Sequence, residues 1–240
     1  MNELEVIGQV LESKVAVKTY DDVASPGFKE LGKVGSDLVK TARLFLVPLQ
    51  IAAVFQDRLE RFLRELNERV PEERRIEVPP EISGPAIDSM RFLDENSALW
   101  EMFKELLVKS ADREAVGFVH PSFVHIVKQL TRDEAFMLFM LKNADFKIVD
   151  TMDFNKADNK FYNRKIESST IPENELLNPC SVNIYSAHLE SLSLACWPVI
   201  KQDPIMVGAV QVGIRRHSII QLTEFGQLFV TACLPPSGIA

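Results

Sequence analysis

Apolar side chains recur at every third or fourth position from Ala52 through Phe55, Leu59, Phe62, Leu66 and Val70, and Pro71 follows at once. That spacing puts six side chains on one stripe of an α-helix, which turns once every 3.6 residues. Proline carries no amide hydrogen and ends the run. The opposite face is charged, with Glu60 and Arg64, Arg61 and Glu65, and Glu65 and Arg69 as i,i+4 pairs, each worth only about 0.2–0.5 kcal/mol. The stripe has two readings. It can face a core, or it can form a seam for a second copy of the chain; the heptad run is too short to compel a coiled coil. The helical pattern extends back to Lys33.

After the stripe comes Val70 to Pro85, VPEERRIEVPPEISGP, with prolines at 71, 79, 80 and 85. This composition blocks helix continuation and reads as a connector. Ser83-Gly84-Pro85 opens a short helix through Phe92, proline being favoured at a first helical position. Asp94 begins another, with Leu99, Met102, Phe103, Leu106 and Leu107 as its apolar face and Trp100 extending it. A further helix begins at His120-Pro121 with Phe123, Ile126, Val127 and Leu130 inward, and Thr131-Arg132-Asp133-Glu134 is a capping box that starts the next. FKIVDTM and KFYNRKI, separated by the turn-rich stretch from Asp153 to Asn159, read as a hairpin. Asn178-Pro179 starts a helix with Val182, Tyr185, Leu189 and Leu192 inward. Strand-like LACWPVI and MVGAVQVGI follow, then a turn near Arg215-Arg216, SIIQL, and a closing helix from Thr223 to about Leu234. The expected fold is therefore mainly α: a helical domain over 1–117 with a long amphipathic helix, then a winged-helix-like α+β domain over 118–240, since helix, helix, helix and hairpin is the order of that helix-turn-helix variant.

Hydrophobic residues make up 46% of the 240-residue chain and charged residues 25%, which fits a folded globular protein and excludes disordered and disulfide-scaffold classes. Cys180, Cys196 and Cys233 are odd in number and in no metal-ligand spacing, so a reducing compartment is expected. The N-terminus MNELEVIGQVLESK has acids where a secretory signal carries cations, and the cytoplasm is the expected location. The most apolar window, Leu38 to Phe55, contains Lys40, Arg43, Pro48 and Gln50. A cation at the centre of a membrane span costs about 2.5–3.5 kcal/mol, so this window is no spanning helix, while peripheral contact with a membrane surface stays open. Net charge is −6 over 1–119 and −1 over 120–240. Neither half has the cationic excess that drives general nucleic-acid binding.

Few residues suggest reactive chemistry. Gly27 to Val34 nearly matches a phosphate loop, but valine replaces the hydroxyl that ligates magnesium, and no strand precedes it. His120 and His125 are five apart and point in different directions on a helix, so His120 reads as a helix-start residue. His188 lacks a partner at ligand spacing. No nucleophile signature is present, and neither a catalytic residue nor a cofactor nor a metal is assigned. The candidate nucleic-acid contact is Arg215, Arg216 and His217 at the wing turn. The helix that would read bases carries only Ser181, Asn183, Ser186, His188 and Glu190 as polar residues, poor in the cations such helices use.

The run VPEERRIEVPPEISGPAIDSMRFLDENSALWEMFKELLVKSAD, then VHPSFVHIVKQLTRDEA, then IIQLTEFGQLFVTAC together resemble the abortive-infection alpha family of bacterial proteins associated with defence against bacteriophage. The resemblance covers about Pro26 to Cys233. It implies phage resistance through crippling or killing of the infected cell, and it supplies no catalytic motif. Three modes of action are compatible with it. The first is a non-enzymatic effector or regulator that self-associates through Ala52, Phe55, Leu59, Phe62, Leu66 and Val70, with a phage or host protein as a further candidate partner. The others are a membrane-surface effector working through Leu38 to Phe55, and a winged-helix regulator contacting nucleic acid.

Overall fold

The computed structural model describes residues 55–236 and 238. Residues 57–240 form one compact unit; of the preceding unit, 1–56, the described residues are Phe55 and Gln56. Helix α1 runs over 55–69. It is followed by α2 (Pro80–Met90), α3 (Ala98–Ser110), α4 (Ser122–Val127) and α5 (Arg132–Leu141), then β1 (Phe146–Asn155) and β2 (Lys160–Ser169). Helix α6 (Val182–Ser191), the short β3 (Ala195–Cys196), β4 (Val199–Val207), β5 (Val210–Leu222) and α7 (Glu224–Cys233) complete the order.

Helices α3, α5 and α7 start where a side chain satisfies free backbone donors. Ser97 accepts from the Trp100 amide at the head of α3, Thr223 accepts from Gly226 at the head of α7, and Thr131 with Glu134 forms the reciprocal capping box of α5. Helix α2 begins at Pro80, earlier than the sequence reading, and carries Pro85 inside it. Helix α3 is buried over most of its surface: Trp100, Met102, Phe103, Leu106, Leu107 and Val108 are all covered, and so is Glu105. A helix of that kind belongs in the middle of a core, and α2, α4, α5 and α7 all pack on it. The contact with α7 joins residues on either side of position 117. Phe123 of α4 meets Phe229 of α7 edge-on, with centroids 5.2 Å apart.

The α1 stripe is a core face over most of its described length. Phe62, Leu66 and Val70 are buried within the unit, and Leu59 is partly covered. The charged side of α1 does more than keep the helix in water. Arg69 reaches Glu105 of α3 at 2.7 Å, Glu65 reaches Lys104 at 2.7 Å, and Arg61 reaches Glu95 at 2.6 Å. Because Glu105 is 2% exposed, its charge is acceptable only with the partner that α1 brings.

The expectation of a mainly α chain ending in a winged helix is overturned by the sheet. About a quarter of the described residues are strand, in one five-stranded antiparallel sheet. The order is β2-β1-β5-β3, and β4 pairs with β5 on the same edge as β3. The error lay in placing a turn at Arg215-Arg216. The chain reverses instead at Gly208, whose φ of +62° suits a residue without a Cβ, and β5 then continues unbroken for 13 residues. A strand of that length can take β1 on one side and β3 and β4 on the other. Two hairpins are thereby fused into one sheet in place of a single wing.

One close approach locks the sheet to the helices. A Cβ on Gly226 would lie 1.8 Å from the Leu194 carbonyl oxygen, so backbone meets backbone where α7 leaves the sheet. Gly226→Ala must push these segments apart. Such overpacking costs about 1–3 kcal/mol or more, and thermal unfolding should show a Tm lower by about 2–4 °C for each kcal/mol lost.

Candidate functional site

The three sequence-predicted cationic residues sit in the middle of β5 and do not act together. Alternate residues of a strand point to opposite faces, so Arg216 shares a face with Asp150 while Arg215 and His217 lie on the other. Arg215 makes two hydrogen bonds to Glu167 at 2.9 and 3.0 Å, and His217 Nε2 lies 3.5 Å from Asp203. Asp203 also pairs with Lys201 at 2.8 Å. Each cation has an acidic partner in the sheet.

Asp150 is the most enclosed charged group of the sheet, with its side chain at 0% exposure. Arg216 donates to both its oxygens, from Nε at 2.8 Å and Nη2 at 2.7 Å, and Arg164 of β2 donates through Nε. Burial by itself raises the carboxyl's proton affinity. The hydrogen bonds and charges of Arg216 and Arg164 outweigh it and hold Asp150 below the ordinary carboxylate value. The Arg164 guanidinium lies 5.1 Å from the centre of the Trp197 ring, within cation–π range. Trp197 also walls a cavity of about 190 Å³, together with Ile148 and Ile166 of the sheet and Cys180, Val182 and Asn183 at the start of α6. The cavity is small and mainly apolar. The sequence reading missed this cluster because its members are spread over positions 150, 164, 197 and 216, on four different segments, and no local spacing links them.

A second buried polar group fixes the loop before α6. Asp133 accepts from the amides of Leu177 and Asn178, both at 2.9 Å, and from the Tyr185 hydroxyl at 3.0 Å. Glu134 completes its capping box and also meets His188 Nδ1 at 2.6 Å. His188 therefore has a carboxylate partner 54 positions away. His120 accepts from the Ser122 amide and packs beside Phe123 and Phe225. Among the described residues no three His, Cys, Asp or Glu side chains converge as metal ligands, and no helix is long and apolar enough to cross a membrane.

The most extensive unpartnered feature is apolar. Asp153 of β1 pairs with Gly213 of β5, so the β1–β2 and β4–β5 turns lie at the same end of the sheet. Opposite that end, Phe146, Ile148 and Ile220 are buried. Among the described residues, nine of fourteen large exposed apolar side chains belong to β2, β4 and β5. Met206, Val207, Val210 and Val212 gather around one turn; Phe161 and Tyr162 stand by the other. Phe154 and Phe161 pair across the strands at 4.9 Å. A cluster of exposed apolar groups marks a contact surface more often than isolated ones do. Ala52, the Gly27–Val34 loop and Leu38 to Val54 lie outside the described residues, whereas Phe55 opens the described part of α1 and is buried.

The buried ion cluster makes a pH-dependent contribution to stability. Because the folded state holds Asp150 below its unfolded value, the contribution is present above about pH 4 and is lost as pH falls through the depressed folded value. Asp150→Asn should cost about 2–3 kcal/mol at pH 7. That is less than a fully enclosed pair would lose, since Arg164 and Arg216 keep 33% and 26% of their side-chain surface in water. Urea unfolding of both proteins from pH 7 to pH 3 should show the gap narrowing in acid.

A family model described as abortive infection alpha matches residues 54–233, three quarters of the chain. No curated protein and no solved structure matches it. The match begins at the described helix α1 and ends with α7, so it takes in the whole helix-and-sheet unit laid out above: the chain belongs to the abortive infection alpha family.

Proposed function

We propose that this protein is a non-catalytic cytoplasmic effector or regulator of abortive infection, and that it acts by binding another protein through the exposed apolar part of its sheet. Family membership supports the defence role. The protein-binding mode rests on one observation, the gathering of Met206, Val207, Val210 and Val212 at the β4–β5 turn, with Phe161 and Tyr162 exposed at the same end of the sheet. Leaving these groups in water forgoes about 25 cal/mol for each Å² of apolar surface that a partner could cover. A hairpin that serves only to complete a sheet needs no such surface. Asp150, Glu167 and Asp203 already pair with Arg216, Arg215 and Lys201 inside the sheet, so the apolar end is the part with binding energy to offer.

Plating efficiency on a panel of phages, with and without the gene, measures the role directly. Where the wild type protects, the pair Val207→Asp with Val210→Asp should restore plaque formation by at least tenfold, while circular dichroism shows the fold intact. Undiminished protection by a folded, charged variant would remove this surface from the function.

A further inference from the structure

Strand β4 pairs with β5 alone among the described strands. Its other edge is a row of unpaired backbone donors and acceptors, the form of surface through which two sheets join. Natural sheets discourage such joining with charges, prolines and bulges along the edge, and this edge carries Lys201, Pro204 and an irregularity at Ile200. Its sequence is nonetheless complementary to itself. From Val199 it reads Val-Ile-Lys-Gln-Asp-Pro-Ile, and when two copies are laid antiparallel with Gln202 opposite Gln202, every position meets a compatible one. Lys201 falls opposite Asp203 of the second copy and Asp203 opposite Lys201. Val199 falls opposite Ile205, and Ile200 opposite Pro204.

We infer that the protein pairs with a second copy of itself through the β4 edge, in the antiparallel register centred on Gln202, which makes one continuous sheet across a two-fold axis. The inference rests on the protein-association reading above and names the partner. Directly opposite residues in an antiparallel pair point to the same face, so each lysine reaches the other copy's aspartate, and symmetry makes two such pairs. In the single chain Lys201 and Asp203 hold each other at 2.8 Å with 66% and 42% of their side chains exposed, and in the pair each exchanges that partner for its counterpart in the second copy. Ile200 and Val199, 62% and 40% exposed, would be covered. Pro204 has no amide to donate, and the strand is irregular at Ile200. In this register the two irregular positions face each other, so the missing donor and the bulge disturb one site per strand rather than two. The edge lies beside the exposed Met206 and Val207, so the two surfaces are continuous along β4.

The test is a charge exchange read by size-exclusion chromatography with light scattering. Lys201→Glu puts two carboxylates opposite each other at both symmetric positions and should weaken the dimer at least about tenfold; Asp203→Lys should do the same with cations. The double variant, Lys201→Glu with Asp203→Lys, should regain the dimer. A complementary measurement uses Gln202→Cys in a Cys180→Ser background. Residue 202 meets its own copy on the axis, within the 4.4–6.8 Å Cα separation that a disulfide spans, so mild oxidation should give a covalent dimer on non-reducing gels. A wild-type monomer, or a dimer indifferent to both single reversals with no cross-link at 202, would overturn the pairing. The functional reading is judged separately: protection lost in the Val207 and Val210 variant of a monomeric protein would leave association with another protein standing, whereas a charge-sensitive dimer whose protection ignores that variant would leave the pairing standing alone.

Discussion

The architecture depends on charge neutralisation inside the sheet. Strand β5 carries Arg215, Arg216 and His217 in succession at its middle, where a sheet interior ordinarily disfavours cations. Asp150 and Glu167 meet the two arginines with bidentate hydrogen bonds and Asp203 lies near the histidine. With those partners in place the strand runs straight through, takes β1 on one edge and β3 and β4 on the other, and becomes the spine of the sheet. Without them the partly buried Arg216 would be better placed in a solvated turn.

The helical layer solves a different problem. Helix α3 carries too broad an apolar face to sit at a surface, and four other helices pack on it. Its one buried charge, Glu105, is met by Arg69 from α1, so the first described helix is tied to the core by electrostatics as well as by Phe62, Leu66 and Val70. At the other end of the unit, Gly226 lets α7 approach the Leu194 carbonyl and close the packing around Phe123 and Phe229. One end of the sheet is therefore anchored, while its hairpin end has no helical cover among the described residues. That division, a fixed base and an apolar tip, is the feature on which the proposed association rests.

Local signals in the sequence were strong where the chemistry is local. The capping box at Thr131 and Glu134, the stop at Pro71, the cap at Thr223 and the β1–β2 hairpin all follow from neighbours a few residues apart. The blocks quoted for the family resemblance were equally legible, and they fall largely within the matched 54–233. The apolar stripe from Phe55 to Val70 was legible as a stripe, though its periodicity is the same for a core face and for a seam. Burial of Phe62, Leu66 and Val70 places those three in the core.

What the amino-acid order determined, then, is the capped helix starts at Thr131 and Thr223, the stop at Pro71, the β1–β2 hairpin, and family. Tertiary structure alone decided that Arg216 belongs to a strand and not a turn, since its partner Asp150 is 66 residues away; that His188 has Glu134; and that two hairpins share one sheet. The reason is physical. Capping and turn formation are decided by groups within a few bonds of each other, whereas the cost of placing a charge in a sheet depends on which distant carboxylate the fold delivers to it, and no short stretch of sequence records that.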